Sequence, residues 1–423
     1  MNSYSKIRFQ YYFLPLFNLA IFILYILINI QASGKSVAQS IYIIAVLSSL
    51  FLGAISARRI NGNIDVKLLS LLFFFFAYEF VIASLTAEPD GISFPKLLDS
   101  NFGAAYKLLF GLSLGINLKL IVEFLRIHPS PSNALILKNF ILFCLLSIVS
   151  ILLIKLDTYG LKVTNIVRID KNHEGYQRLG VMTIILNIIC GAFLVIKSER
   201  NFSISSYIIY SFLCLTSAIL CILSISNMGF VANIILLFST TSVLWFTRGK
   251  QTFDNVFLGF FVKYGGLSVL AILLCFLVLF AIYPEKVSSI RLFDFSSNSS
   301  FLSRYLLFGN SFFSQFGASP VFGDLSSHLR SGESGSYVHS LLSLFTHLGL
   351  VGVTLFIALI AYCFYASVIA SGKGCRYAFL MLVNLSIFIF IALLTSFYVW
   401  VPLWIIITMM IFLKGQKGYL NVE

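Results

Sequence analysis

Apolar stretches of about twenty residues recur along this whole chain, and they fix most of what it can fold into. A bilayer's hydrocarbon core is about 30 Å thick and takes about 20 helical residues to cross. With 59% apolar residues, 44 Phe and 11% charged residues, the chain is far poorer in charge than a soluble domain of its length. The expected fold is therefore an all-α, polytopic integral membrane protein. Twelve spans are read near 11–30, 38–57, 66–86, 101–122, 134–154, 179–196, 207–225, 228–246, 264–283, 341–369, 377–395 and 399–413. Lys107 and Lys119 interrupt the fourth. The tenth is longer than a bilayer needs, which implies tilt or protrusion. The first run is too long for a signal peptide and lacks a small-residue cleavage site, so it reads as a retained helix.

The seven cysteines are no framework for disulfides. Cys144, Cys190, Cys214, Cys221, Cys275 and Cys363 fall inside apolar runs, and Cys375 in a short basic link. Neither a CxxC nor an HExxH spacing is present, and no zinc site is implied. The net charge of +13 is scattered over short links, so topology explains it better than nucleic acid does.

Lysines and arginines orient the chain, since they concentrate on the cytoplasmic side. A cytoplasmic N-terminus puts 17 of the 29 inside, and both termini are then cytoplasmic. Of the 11 basic residues left outside, eight gather in two loops. The first, 155–178, carries Lys155, Lys162, Arg168, Lys171 and Arg178; the second, 284–340, carries Arg291, Arg304 and Arg330, with Asp324, Glu333, His328 and His339. Long loops translocate regardless of charge, and these cations have Asp157, Asp170, Glu174, Asp294 and Glu333 as neighbours to pair with. Two basic outer loops in one chain favour an anion site. The chain reads as a single transmembrane domain, 1–423, with these two loops on its outer face.

Within the large loop, Phe301, Tyr305, Phe308, Phe312 and Phe316 are spaced for an amphipathic helix over 300–316, with Arg304 near its start. A turn-rich segment, Ser319-Pro320-Val321-Phe322-Gly323-Asp324, follows. Further on, His339 opens a long apolar run in which Gly349 and Gly352 form a Gly-x-x-Gly pair. Earlier in the chain, Arg178-Leu179-Gly180 stands where the first basic loop meets a helix containing Asn187. Ser224–Gly229 reads as a tight outer turn between two spans.

Taken together, these residues resemble the bacterial O-antigen polymerase and O-antigen ligase superfamily. The likeness rests on His339 with Gly349 and Gly352, on Arg304 and the Pro320/Gly323 turn, on Arg178-x-Gly180, and on Ser224–Gly229 in place of a Ser-Arg-Gly turn. The chain departs from the pattern in having His339-Ser340 for His-Asn, Leu186-Asn187 for Pro-Asn, and Asn227-Met228 where the turn arginine would be.

The resemblance implies a GT-C-like arrangement of about twelve transmembrane helices in the bacterial inner membrane, with a large periplasmic loop. The implied substrate is an oligosaccharide on undecaprenyl diphosphate, within membrane lipid. A chain-length regulator and a flippase of the same pathway would be partners. Catalysis would fall to Arg178 and Arg304 on the diphosphate and His339 on the attacking hydroxyl. Arg168, Arg291 and Arg330 would assist in binding, and Asp324 and Glu333 are rival bases. Arginines would stand in for a metal, no Asp-x-Asp motif being present, and no cofactor is expected. His347, two turns beyond His339, reads as structural. The ligase, which joins polymer to lipid A–core, shares the donor and topology. A lipid-linked oligosaccharide flippase would keep charges at the midplane and show internal repeats, whereas Glu79 and Lys107 are the only candidate buried charges here. A scaffold for polysaccharide assembly would leave the outer arginines unexplained.

Overall fold

The computed structural model describes residues 13–31, 35–56, 64–86, 103–127, 131–159, 175–198, 203–223, 226–246, 312–325, 341–372, 375–395 and 400–412. Among them the architecture is helical, with no strand. In chain order the helices are α1 (Leu14–Gln31), α2 (Lys35–Ile55), α3 (Val66–Thr86), α4 (Gly103–Ile127), α5 (Pro131–Tyr159) and α6 (Gly175–Ser198). They continue with α7 (Ile204–Leu223), α8 (Asn227–Phe246), α9 (Phe313–Ala318), α10 (Ser343–Gly372), α11 (Arg376–Thr395) and α12 (Val401–Met409), which runs on into a 3-10 turn, Met410–Phe412.

Each expected span coincides with a helix except 264–283, which lies outside the described residues. Leu-, Ile- and Phe-rich runs become helices because lipid offers backbone groups no other partner. Among the described residues six helices are long and apolar enough to cross a membrane: Val66–Thr86, Leu135–Ile154, Leu179–Ile196, Ile204–Ile222, Ser343–Gly372 and Arg376–Leu393. Bare apolar side chains fit that setting. Phe73, Phe74, Phe80, Val81 and Leu85 of α3 are all exposed, a surface that water would not tolerate at this size.

One expectation needs correction. The tenth span is not one helix, because Gly349 (φ 60, ψ −168) interrupts α10, and the excess length belongs to a short first piece before the break. The twelfth expected span, 399–413, matches Val401–Phe412, a short apolar helix about 18 Å long at 1.5 Å per residue. It is apolar on every side and buried throughout from Pro402. Of the amphipathic helix expected over 300–316, residues 300–311 lie outside the described residues, and a helix covers Phe313–Ala318. Pro320 accounts for its end, since the residue before a proline avoids helical geometry and Ser319 adopts φ −149, ψ 70. Phe312 and Phe316 do share a face as expected, stacking on each other and meeting the ring of Phe345 edge-on.

The chain divides into two compact units. One holds α1 as far as Tyr25, α2, α3, α4 and α9–α12. Its centre is Trp404 of α12, ringed by Phe75, Phe76 and Phe356 at centroid distances of 5.2, 5.0 and 6.0 Å. Gly111 and Gly115 let α12 lie against α4: a Cβ on Gly111 would fall 2.8 Å from the Thr408 Cβ. A buried polar network ties α1, α2 and α4. Asn117 Nδ2 donates to Ser49 Oγ (2.9 Å) and to the Ser113 carbonyl (2.7 Å), and Asn18 bonds Ser48, Ser49 and Asn117. Lys119, which interrupts the expected fourth span, is buried in α4 and paired with Glu123 one turn on at 3.1 Å.

The other unit holds α5 from Ala134, with α6, α7 and α8. Its α6 is almost wholly buried. Asn187, Asn233 and Thr183 form a hydrogen-bonded chain through its interior. Asn187 Nδ2 donates to Asn233 Oδ1 (2.7 Å), and Asn233 Nδ2 donates to Thr183 Oγ1 (3.0 Å).

Candidate functional site

Two sequence elements far apart in the chain meet at the break in α10. Breaking a helix in an apolar setting strands backbone groups on both sides, and each must find a partner. Here the turn after α9 supplies them. The Leu350 and Val351 N–H groups, which open the second piece of α10, donate to the carbonyls of Pro320 (2.9 Å) and Val321 (3.1 Å). On the other side, the Asp324 N–H donates to the Thr346 carbonyl (2.9 Å). The Tyr78 hydroxyl of α3 lies 3.0 Å from the Phe322 carbonyl and 3.1 Å from that of Leu348, and shares its proton between turn and break. The Gly323 N–H closes the turn on the Ser319 carbonyl (2.9 Å).

Glycine is required on both faces of this junction. Gly323 has φ 79 and Gly349 φ 60, and Gly349's ψ puts it in a region that side-chain-bearing residues essentially never occupy. A Cβ on Gly349 would fall 2.5 Å from the Gly323 nitrogen, and one on Gly323 would fall 2.5 Å from the His347 carbonyl carbon.

Three titratable side chains sit on the elements that meet here: Glu79 beside Tyr78 on α3, Asp324 at the end of the turn, and His347 just before the break. All three are buried. Burial of ionisable groups among apolar helices is expensive, which makes these three residues candidates for a functional role. The start of α10 is fixed separately, where the Leu341 N–H donates to the Ala392 carbonyl of α11 (2.9 Å).

A second junction joins the Arg178-x-Gly180 element to the Ser224–Gly229 segment. Ser224 and Ile225 lie outside the described residues. Asn227, Met228 and Gly229 belong to the first turn of α8 rather than to a loop, with the Phe230 N–H donating to the Ser226 carbonyl (2.9 Å). Gly180 and Gly229 face each other, and a Cβ on Gly229 would fall 2.7 Å from the Gly180 Cα. Just below, Thr183 Oγ1 donates to the Gly180 carbonyl (2.9 Å) and joins the Asn233–Asn187 chain. Among the described residues Asn187 Oδ1 is buried with no hydrogen-bond partner.

Of the candidate residues read from sequence, Asp324 is buried at the first junction and the backbone of Arg178 lies in the first turn of α6. His339, Arg304, Arg168, Arg291, Arg330 and Glu333 lie outside the described residues. Sequence reading missed Tyr78. Its signal was there: one hydroxyl in the run Phe73-Phe74-Phe75-Phe76-Ala77-Tyr78-Glu79-Phe80, a position where a phenol needs a partner. Glu79, read from sequence as a candidate buried charge, is buried, and it and His347, read as structural, both sit on the elements of the break.

No family model matches the chain, and no curated protein matches it significantly.

Proposed function

We propose that this protein is an O-antigen polymerase of the bacterial inner membrane. It would move the growing polysaccharide from undecaprenyl diphosphate onto a new lipid-linked repeat unit at the periplasmic face. The observation that best supports this reading is the junction at Gly349. The Pro320/Gly323 turn and the Gly349/Gly352 pair, two elements on which the family resemblance rests, are bonded to each other backbone to backbone. The close approach of Gly180 to Gly229 joins two more.

In the proposed reaction an acceptor sugar hydroxyl attacks the donor's anomeric carbon. The new glycosidic C–O bond forms as the bond to diphosphate breaks, and undecaprenyl diphosphate leaves. Arg178 and Arg304 neutralise charge growing on that leaving group. His339 takes the hydroxyl proton, with Asp324 and Glu333 as rival bases. Arg168, Arg291 and Arg330 bind the anionic carrier and its sugars. Single displacement inverts the anomeric centre. In this reading the twelve spans form a GT-C-like domain with both termini in the cytoplasm and the large loop in the periplasm.

Purified protein in vesicles, given the lipid-linked repeat unit, should build a ladder of lipid-linked oligomers. Arg178→Ala, Arg304→Ala and His339→Ala should abolish the ladder at normal protein level. Full activity in any one removes that residue from the mechanism, and no ladder with wild-type protein removes the proposal.

A further inference from the structure

The turn bonded to the break in α10 lies deep along the helices that carry it. Two pins set α3 and α10 in antiparallel register. At one end the Tyr362 hydroxyl donates to the Asp65 carboxylate, 3.0 Å from each oxygen. At the other, Tyr78 joins the Leu348 and Phe322 carbonyls. From Asp65 to Tyr78 is about 20 Å at 1.5 Å per residue, and from Tyr78 to the end of α3 at Thr86 about 12 Å more. The Phe322 carbonyl is therefore about 12 Å below that end.

Phe80, Val81 and Leu85, all on the Thr86 side of Tyr78, are exposed, and Leu85 is 70% exposed. A hydrocarbon layer that covers Leu85 also covers the level of the turn. The turn is suited to it. Its Gly323 and Asp324 N–H groups and its Pro320, Val321 and Phe322 carbonyls are all hydrogen-bonded, and Pro320 has no N–H to satisfy. Non-helical backbone at bilayer depth persists where it is buried in protein, and Gly323, Asp324 and Leu325 are buried, with Gly323 against the backbone of the break. Its side chains point the other way from its polar backbone. Phe322 is 60% and Val321 47% exposed, beside Leu350 at 47%.

We propose that Ser319–Asp324 is a re-entrant segment, dipping from the large loop into the bilayer, with Val321 and Phe322 against lipid acyl chains. This stands apart from the polymerase reading and holds whatever reaction the protein performs.

The test uses wild-type protein in phosphatidylcholine vesicles doped with a lipid bearing a diazirine midway down its acyl chain. After irradiation, lipid adducts are mapped by proteolysis and mass spectrometry, and hydroxyl-radical footprinting is run in parallel. Lipid adducts on Val321 and Phe322 as well as on Phe80–Leu85, with no radical oxidation of Phe322, are the expected result. Adducts on Phe80–Leu85 but none on the turn would overturn the proposal, as would oxidation of Phe322 by aqueous radicals.

Discussion

Gly323 and Gly349 are packed backbone to backbone, each closing the space where the other's Cβ would stand. Through this contact a turn from the large loop becomes part of a helix 20-odd residues later, and the helix can break in an apolar setting without stranding its polar groups.

Gly349→Ala should therefore be severe. Its backbone conformation alone costs an L-residue about 1–3 kcal/mol, and the collision with the turn adds to that. Thermal unfolding in detergent should show a loss of about 3 kcal/mol or more. Gly317→Ala is the control, with nothing within 4 Å of its would-be Cβ, and as a helical Gly-to-Ala change should leave stability unchanged or raise it by up to about 1 kcal/mol. Equal effects at the two sites would contradict the docked turn.

Tyr78→Phe keeps the ring and removes the shared proton. A hydrogen bond of this kind is worth about 1 kcal/mol. Amide hydrogen exchange over 319–325 should accelerate by about tenfold, the equivalent of 1.4 kcal/mol, with α11 unchanged. Unchanged exchange at Gly323 and Asp324 would show that Tyr78 does not hold the turn.

Asp65 caps α3, accepting from the Lys67 and Leu68 N–H groups at 3.1 and 3.2 Å, and also receives Tyr362. A cycle of Asp65→Ala and Tyr362→Phe isolates the second role from the first. The expected coupling is about 1.5–3 kcal/mol, that of a hydrogen bond to a charged group. Additive effects would separate the two helices at this end.

In the second unit, Gly229→Ala forces a Cβ to within 2.7 Å of the Gly180 Cα and of Cys221 Sγ. Overpacking of this kind costs about 1–3 kcal/mol, and the unfolding midpoint should fall accordingly. An unchanged midpoint would mean that α6 and α8 do not meet closely at these glycines.

How much of this was legible depends on the range of the interaction. Spans are local: a run such as Val66–Thr86 announces its helix by its own length and apolarity, and its bounds coincide with those expected. The two glycine motifs were legible as positions, because Pro320, Gly323 and Gly349 are unusual residues in their settings. Their bonding to each other was not, nor was the partner of Tyr78, 244 residues away. The break in α10 was hidden for a physical reason. Leu348, Leu350 and Val351 keep the segment apolar through the break, and hydropathy does not register backbone angles. The burial of α12 was likewise invisible, since a fully apolar helix reads the same in lipid and in a protein core. Asp324 was read as a loop acid and proves buried, because the turn that carries it is held by backbone bonds that its side chain does not announce.

The most direct test of the proposed function is a gel of lipopolysaccharide from a strain lacking this gene. The account predicts core bearing a single repeat and no ladder, with the ladder restored by the wild-type gene. Bare core with long polymer accumulating on the lipid carrier would contradict it in favour of a ligase. An unchanged ladder would remove both.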